Sequence, residues 1–296
     1  MSVFKLEWTV GKTEEMLLRD FLKEKNISKA ALTDIKFKGG KILVNSREQN
    51  VRYLLKEHDD VTIFFPPEIQ SSGLLTEELP LNILYEDDYL LVVNKEYGMS
   101  TIPSREHPRG SLANGLAGYY NSKNLKATTH IVTRLDRDTS GIVLIAKHRH
   151  IHHLLSQQQM MKTISRRYIA FAEGQFQKWQ GTIAEPIGRS DDSIIKREVR
   201  KDGQTAITHF SVQEVRDNFT VVELFLETGR THQIRVHLSS IGHPLLGDDL
   251  YGGKRTLINR QALHCASLKF IHPVTGSGCS FFAPLPKDMQ ELLYEE

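Results

Sequence analysis

The chain has 296 residues, 40% of them hydrophobic and 25% charged, with a net charge of +2, a make-up suited to a globular protein of about two domains. Its two cysteines, Cys265 and Cys279, stand far apart with no C-x-x-C, which excludes a disulfide framework, a zinc ribbon and an iron–sulfur cluster. No apolar run approaches the ~18 residues of a membrane helix and the amino terminus lacks a signal peptide's apolar stretch, so a soluble, reduced, cytoplasmic protein is expected.

Residues 12 to 30 predict a helix, because Met16, Leu17, Phe21 and Leu22 recur at helical spacing. Ile27-Ser28 reads as its stop and as the N-cap of a second short helix over 28 to 36. Phe37-Lys38-Gly39-Gly40 then gives a tight turn before a strand over 41 to 45, and Val61 to Phe65 is a second strand ended by Pro66-Pro67. Pro66 to Leu75, with Ser71-Ser72-Gly73, reads as a linker. It divides the chain into a small domain, 1–72, and a larger one, 73–296.

In the larger part, 89 to 94 and 141 to 146 are short apolar runs fit for buried strands, and 167 to 172, 208 to 212 and 220 to 226 alternate as half-buried strands do. Helical patterns fall at 149 to 162 and 231 to 241, where Ile234, Leu238 and Ile241 share a face. Residues 262 to 272 and 279 to 283, joined through Val274 to Gly278, read as a hairpin. The fold class is α+β, with a mixed or antiparallel sheet as its core.

The near-neutral total conceals a local excess. Residues 121 to 170 hold nine Lys and Arg, Lys126 among them, against two Asp, and five histidines besides. The balancing acids lie elsewhere, such as Glu86, Asp87, Asp88 and the terminal Glu295 and Glu296. Such a field can capture phosphates, although a solvated basic helix face has the same composition.

Two segments carry candidate chemistry. In His130 to Gly141, Asp136 sits on a turn into a core strand between Arg134 and Arg137. Neighbouring cations favour an ionised carboxylate, available as nucleophile or base; the bland reading is an aspartate capping its own turn. In Leu226 to His237, Gly229 permits a sharp turn and Arg230 projects from a strand-to-helix corner, toward a cleft or simply toward solvent. His232 and His237 are five apart and do not share a helix face, so no metal site is expected.

Taken together with Arg166-Arg167-Tyr168, these segments resemble the RluA-type family of RNA pseudouridine synthases. Arg134-Leu135-Asp136-Arg137-Asp138-Thr139-Ser140-Gly141 follows that family's central motif, Thr228 to His237 its late motif, and Gly247-Asp248 with Leu250-Tyr251-Gly252 the segment after it. The resemblance runs from about 80 to 286. It implies a pseudouridine synthase fold, Asp136 as the essential carboxylate, Tyr168 as the aromatic that packs against the target uracil, and Arg230 as the salt-bridge partner of Asp136. Arg134, Arg137 and Arg166 are the candidate RNA-binding residues, Arg134 either filling the space the target base vacates or clamping the flanking phosphates. Departures stand at Thr133, at Lys95-Glu96-Tyr97-Gly98, at Arg166 and at Gln204; they bear on target choice.

The amino-terminal region resembles the small αL-type RNA-binding module first known from a small-subunit ribosomal protein, through Leu17-Leu18, Phe21-Leu22, Ser28, Gly40 to Asn45 and Asp60 to Ile63. The implied activity is isomerisation of a uridine in structured RNA, without metal or cofactor, by a monomer. Ribosomal RNA is the expected partner, with transfer RNA as the second. A catalytically silent RNA-binding or ribosome assembly factor of the same fold is the alternative reading.

Overall fold

A computed structural model of the protein describes residues 4–12, 15–68, 73–125 and 127–294. Lys126, the linker residues Ser71 and Ser72 with the domain boundary at 72, and the terminal Glu295 and Glu296 lie outside the described residues.

In the amino-terminal part, strands Lys5–Thr9, Asp60–Phe64, Lys41–Val44 and Arg47–Glu48 lie side by side in that order, all antiparallel. The helices Leu18–Glu24 and Lys29–Phe37 pack on them through Leu18, Leu22 and Ile35, against Leu6, Ile42 and Ile63. Ser28 caps the second helix as expected, its Oγ accepting from the Ala31 amide at 3.1 Å. The first helix begins at Leu18, not near 12. Met16–Leu17 pair as strand with Leu54–Leu55, and the amides of Leu18 and Arg19 donate to the carbonyls of Tyr53 and Val51. Those carbonyls satisfy helix-start donors for which the sequence offers no side-chain cap. At the Gly39-Gly40 turn, Gly39 has φ +92° and a Cβ on Gly40 would lie 2.6 Å from the Phe64 carbonyl oxygen, so both positions need glycine.

The larger part is built on one mixed sheet. Its strands run Gln180–Ile183, Thr208–Val215, Thr220–Leu226, Ser165–Ala172, Leu263–Ile271, Ser140–Ala146, Leu90–Lys95 and Asn82–Glu86, with Gly278–Phe282 pairing the fifth and His130–Ile131 the sixth. Neighbours are antiparallel except Ser140–Ala146 beside Leu263–Ile271. Ser140–Ala146 is buried at every position, as its unbroken apolar run predicts. Helices Leu112–Ser122, Arg149–Met160, Gln233–Ser240 and Lys287–Tyr294 accompany the sheet. No helix of the described residues is long and apolar enough to cross a membrane, and both cysteines are free.

The two parts meet on a buried carboxylate. Glu68, just past the double proline, accepts from Thr128 Oγ1, from the Arg149 amide at 2.8 Å and from His130 Nε2 at 2.5 Å, and lies 3.3 Å from His148 Nε2. Phe4 stacks on His148 with ring centroids 4.0 Å apart, and Asp34 pairs with Arg149 at 2.9 Å. Burial alone would raise the Glu68 carboxyl, but the hydrogen bonds from His130, Thr128 and the Arg149 amide outweigh it and hold the group down to about 2. Burial pushes His148 down to about 3 and His150 to about 4, from an ordinary 6.5. All three groups take up protons more readily in the unfolded chain. Stability at this junction is therefore full above about pH 6.5 and lost progressively as pH falls toward about 2. Melting temperature should fall through that window, and Glu68→Gln should melt lower at neutral pH with a shallower acid slope. A wild-type melting temperature that stays flat from about pH 6.5 to 4 would contradict this assignment.

Candidate active site

Asp136 stands on the turn Leu135–Thr139, which feeds the central strand Ser140–Ala146. That strand lies against Leu263–Ile271 only because Gly141 has no side chain: φ is +116° and a Cβ would lie 2.3 Å from the Cys265 carbonyl oxygen. The turn itself closes through the Thr139 amide on the Asp136 carbonyl at 3.1 Å. Thr101 both donates to the Leu135 carbonyl, at 2.6 Å, and accepts from the Leu135 amide, at 3.1 Å. Lys95, fully buried, donates to the carbonyls of Glu96, Met99 and Arg137. The backbone beneath the carboxylate is therefore fixed, as a reacting group requires.

Among the described residues the Asp136 carboxylate accepts a hydrogen bond from Arg235 alone, NH1 to Oδ2 at 3.2 Å. It does not cap its own turn. Nor is Arg230 its ion-pair partner, which corrects the expectation carried by the family motif. Arg230 precedes the helix Gln233–Ser240, and its Nε donates to the Thr205 carbonyl at 3.0 Å. Arg235 lies one turn further, on the inward face of a helix whose residues 233 to 238 are all buried. Its Nε and NH2 fork onto Asp248 at 2.7 Å each, and the Tyr251 ring lies 4.9 Å from its guanidinium carbon. Asp248 is 1% exposed. One guanidinium thus joins a buried carboxylate to a half-exposed one, a geometry that only the planar fork of arginine supplies.

His232 opens the same helix in the left-handed conformation, φ 58°. The Tyr251 hydroxyl accepts from the Arg197 amide at 2.9 Å and shares a hydrogen bond with His232 Nδ1 at 2.8 Å. Burial holds His232 below the ordinary histidine value in spite of the nearby Asp136 charge. Its Nε2 faces Asp136 Oδ2 at 3.8 Å. His237 turns elsewhere, to Thr208 Oγ1 and the Glu185 carbonyl. No group of three potential metal ligands occurs among the described residues.

Tyr168 sits at a register shift in the strand Ser165–Ala172, 4% exposed, and its hydroxyl accepts from Arg166 NH1 at 3.3 Å. Burial drives its phenol far above the usual range, so it stays protonated at any working pH. Asp136, Tyr168, Arg166, Arg230, His232 and Arg235 line one small space of about 70 Å³. Above it opens a cleft of about 860 Å³, lined among others by Arg134, Asp136, Arg166 and Arg230, with Met160 and Ile102. Arg134 is exposed there and makes no hydrogen bond or ion pair among the described residues. Arg137 is spent on Asp138, through two bonds of 3.0 Å, and does not reach Asp136. Sequence reading missed Arg235, Asp248 and Tyr251 as members of the site. The available signal was an arginine embedded in an apolar helix face, which must be paired if buried.

Comparison with known proteins agrees with this geometry. The sequence profile of the family described as RNA pseudouridylate synthase matches residues 89–240. The chain is 53% identical over 281 residues to YjbO of Bacillus subtilis (strain 168), an uncharacterized RNA pseudouridine synthase, covering 95% of this chain and 99% of that one. It is 36% identical over 272 residues to ribosomal large subunit pseudouridine synthase D of Xanthomonas campestris pv. campestris, covering 86% and 81%. Among solved structures, human RNA pseudouridylate synthase domain containing 1 shares the fold, with a TM-score of 0.59 at 23% identity over 74% of this chain and 95% of that one. A rigid turn presenting an arginine-held aspartate at the floor of a basic cleft, and a profile match spanning both segments that build it, lead to one conclusion: the chain belongs to the RNA pseudouridylate synthase family, isomerases that convert uridine to pseudouridine.

Proposed function

We propose that this chain isomerises a uridine in structured ribosomal RNA, with Asp136 as the catalytic carboxylate and residues 1–72 as an RNA-binding module beside the catalytic domain 73–296. The observation that carries the proposal is the Asp136–Arg235–Asp248 chain of ion pairs at the floor of a cleft whose rim holds an unpaired arginine. The names of relatives that act on the large ribosomal subunit favour ribosomal over transfer RNA.

The reaction breaks the bond between ribose C1′ and uracil N1, turns the base, and joins C1′ to C5; the proton on C5 leaves to solvent and N1 gains one. No electrons are exchanged with a donor. Arg235 holds the Asp136 carboxylate aimed, and Asp248 fixes Arg235 so that no reorganisation accompanies the change in charge. Tyr168 supplies a ring face beneath the uracil. For the target to reach this floor it must leave its stack, which costs a few kcal/mol. Arg134, exposed on the rim of the cleft, is assigned the flanking phosphates. Arg134→Gln should weaken RNA binding and lower the salt slope of the affinity by about one unit, with the melting temperature unchanged. An unaltered slope would remove Arg134 from the interface.

The substrate is tested by mapping pseudouridine in total RNA with and without the gene. Loss of a site in large-subunit ribosomal RNA is expected. Loss confined to transfer RNA would overturn the ribosomal assignment while leaving the chemistry intact.

A further inference from the structure

The turn that carries Asp136 is gripped atom by atom. The Leu135 carbonyl accepts from Thr101, that of Asp136 from the Thr139 amide, that of Arg137 from Lys95, and that of Asp138 from Arg260 NH1 at 3.1 Å. The Thr139 hydroxyl takes a longer bond, 3.3 Å, from Gln261. Four successive carbonyls thus each meet a fixed donor, and among the described residues Arg260 alone hydrogen-bonds both the turn and the carboxy-terminal helix. Arg260 is 6% exposed. Its Nε and NH2 fork onto Asp288 of the helix Lys287–Tyr294, at 2.7 and 2.9 Å, and Tyr97 covers the guanidinium carbon at 4.5 Å. NH1 also reaches the carbonyls of Gln261 and Leu263, at the start of the strand against which Ser140–Ala146 is laid.

We propose that Arg260 is a positioning residue for the reaction, holding the Asp136 turn against the sheet under the control of Asp288, an inference that rests on Asp136 being the catalytic carboxylate. The guanidinium neither lines the substrate cleft nor touches Asp136; it acts through the backbone two residues on. Its planar fork spends one edge on Asp288 and presents the remaining nitrogen to the turn at a fixed angle, which an ammonium on a flexible stem reproduces only in part. A displacement of about 1 Å in a reacting group costs about 10²-fold in rate. Freeing the Asp138 carbonyl therefore slows chemistry far more than it loosens RNA.

The test is single-turnover tritium release from a large-subunit ribosomal RNA transcript labelled at uracil C5, with enzyme in excess and well below the melting temperature. Binding of the same transcript is measured in parallel. For Arg260→Met the rate constant should fall about 10²-fold with the dissociation constant within about twofold. Arg260→Lys should recover part of the loss. Asp288→Asn, milder because one oxygen still accepts, should show the same split, and Asp288→Glu should restore the rate. If Arg260→Met does not fold, the Asp288 pair decides. A folded Arg260→Met or Asp288→Asn protein with the wild-type rate overturns the proposal, and so does a rate that falls only in step with affinity. An Asp136→Asn control that still turns over would show instead that the catalytic reading of the site has failed, and the proposal with it.

Discussion

Asp136→Asn is expected to abolish pseudouridine formation while leaving RNA affinity and folding nearly intact. The amide keeps the carboxylate's shape and still offers an oxygen to Arg235, whose main partner is Asp248, at 2.7 Å against 3.2 Å for Asp136. What disappears is the charge that serves as nucleophile or base, and loss of such a group typically removes several orders of magnitude in rate. Asp138→Asn is the matched control. Its carboxylate is occupied by the neighbouring Arg137, so most activity should remain. Comparable losses from both substitutions would mean that the turn as a whole, not the Asp136 charge, is what matters.

Arg235→Met should be nearly as damaging to turnover and far more damaging to the fold. It leaves Asp248 buried without its cation, a change that costs about 3–5 kcal/mol when one partner of a buried pair is removed. Arg235→Lys should recover only part, because an ammonium cannot fork onto Asp248 while reaching Asp136. Arg230→Met, at an exposed corner, should alter stability by no more than about 0.5 kcal/mol and should act mainly on RNA affinity. Melting curves and saturated single-turnover rates on the three proteins separate the two arginines. Loss of turnover in Arg230→Met with activity retained in Arg235→Met would reverse the assignment of the ion pair.

That reversal of roles shows where the sequence is legible and where it is not. The strand Ser140–Ala146 announces itself as an unbroken apolar run, and its observed burial is complete. Asp136 stands out because a charged residue on the threshold of such a strand needs a reason. The Arg235 contact spans 99 positions of sequence; the apolar neighbours of Arg235 say that it needs a partner, but only the docking of that helix against the turn shows that the partner is Asp136. Local structure misleads for related reasons. The helix Leu112–Ser122 contains Gly115 and Gly118, residues of low helix propensity. Yet a Cβ on Gly118 would lie 2.0 Å from the Glu77 carbonyl oxygen, so that glycine serves close packing, and the helix starts on a reciprocal cap between Ser111 and Asn114. At the amino terminus, Met16 and Leu17 fit the helical spacing but are drawn into a strand pair with Leu54–Leu55, a tertiary contact that overrides local periodicity.

The most direct test of the account is the fate of the C5 hydrogen in the RNA. The purified protein is incubated with unmodified large-subunit ribosomal RNA carrying tritium at uracil C5, and label in water, pseudouridine in RNA and free uracil are all counted. The account predicts one released label for each pseudouridine formed, no free uracil, and no release by a sequence-verified Asp136→Asn protein free of deamidation. Free uracil from the wild-type protein, or release by the Asp136→Asn variant at an appreciable fraction of the wild-type rate, would contradict it.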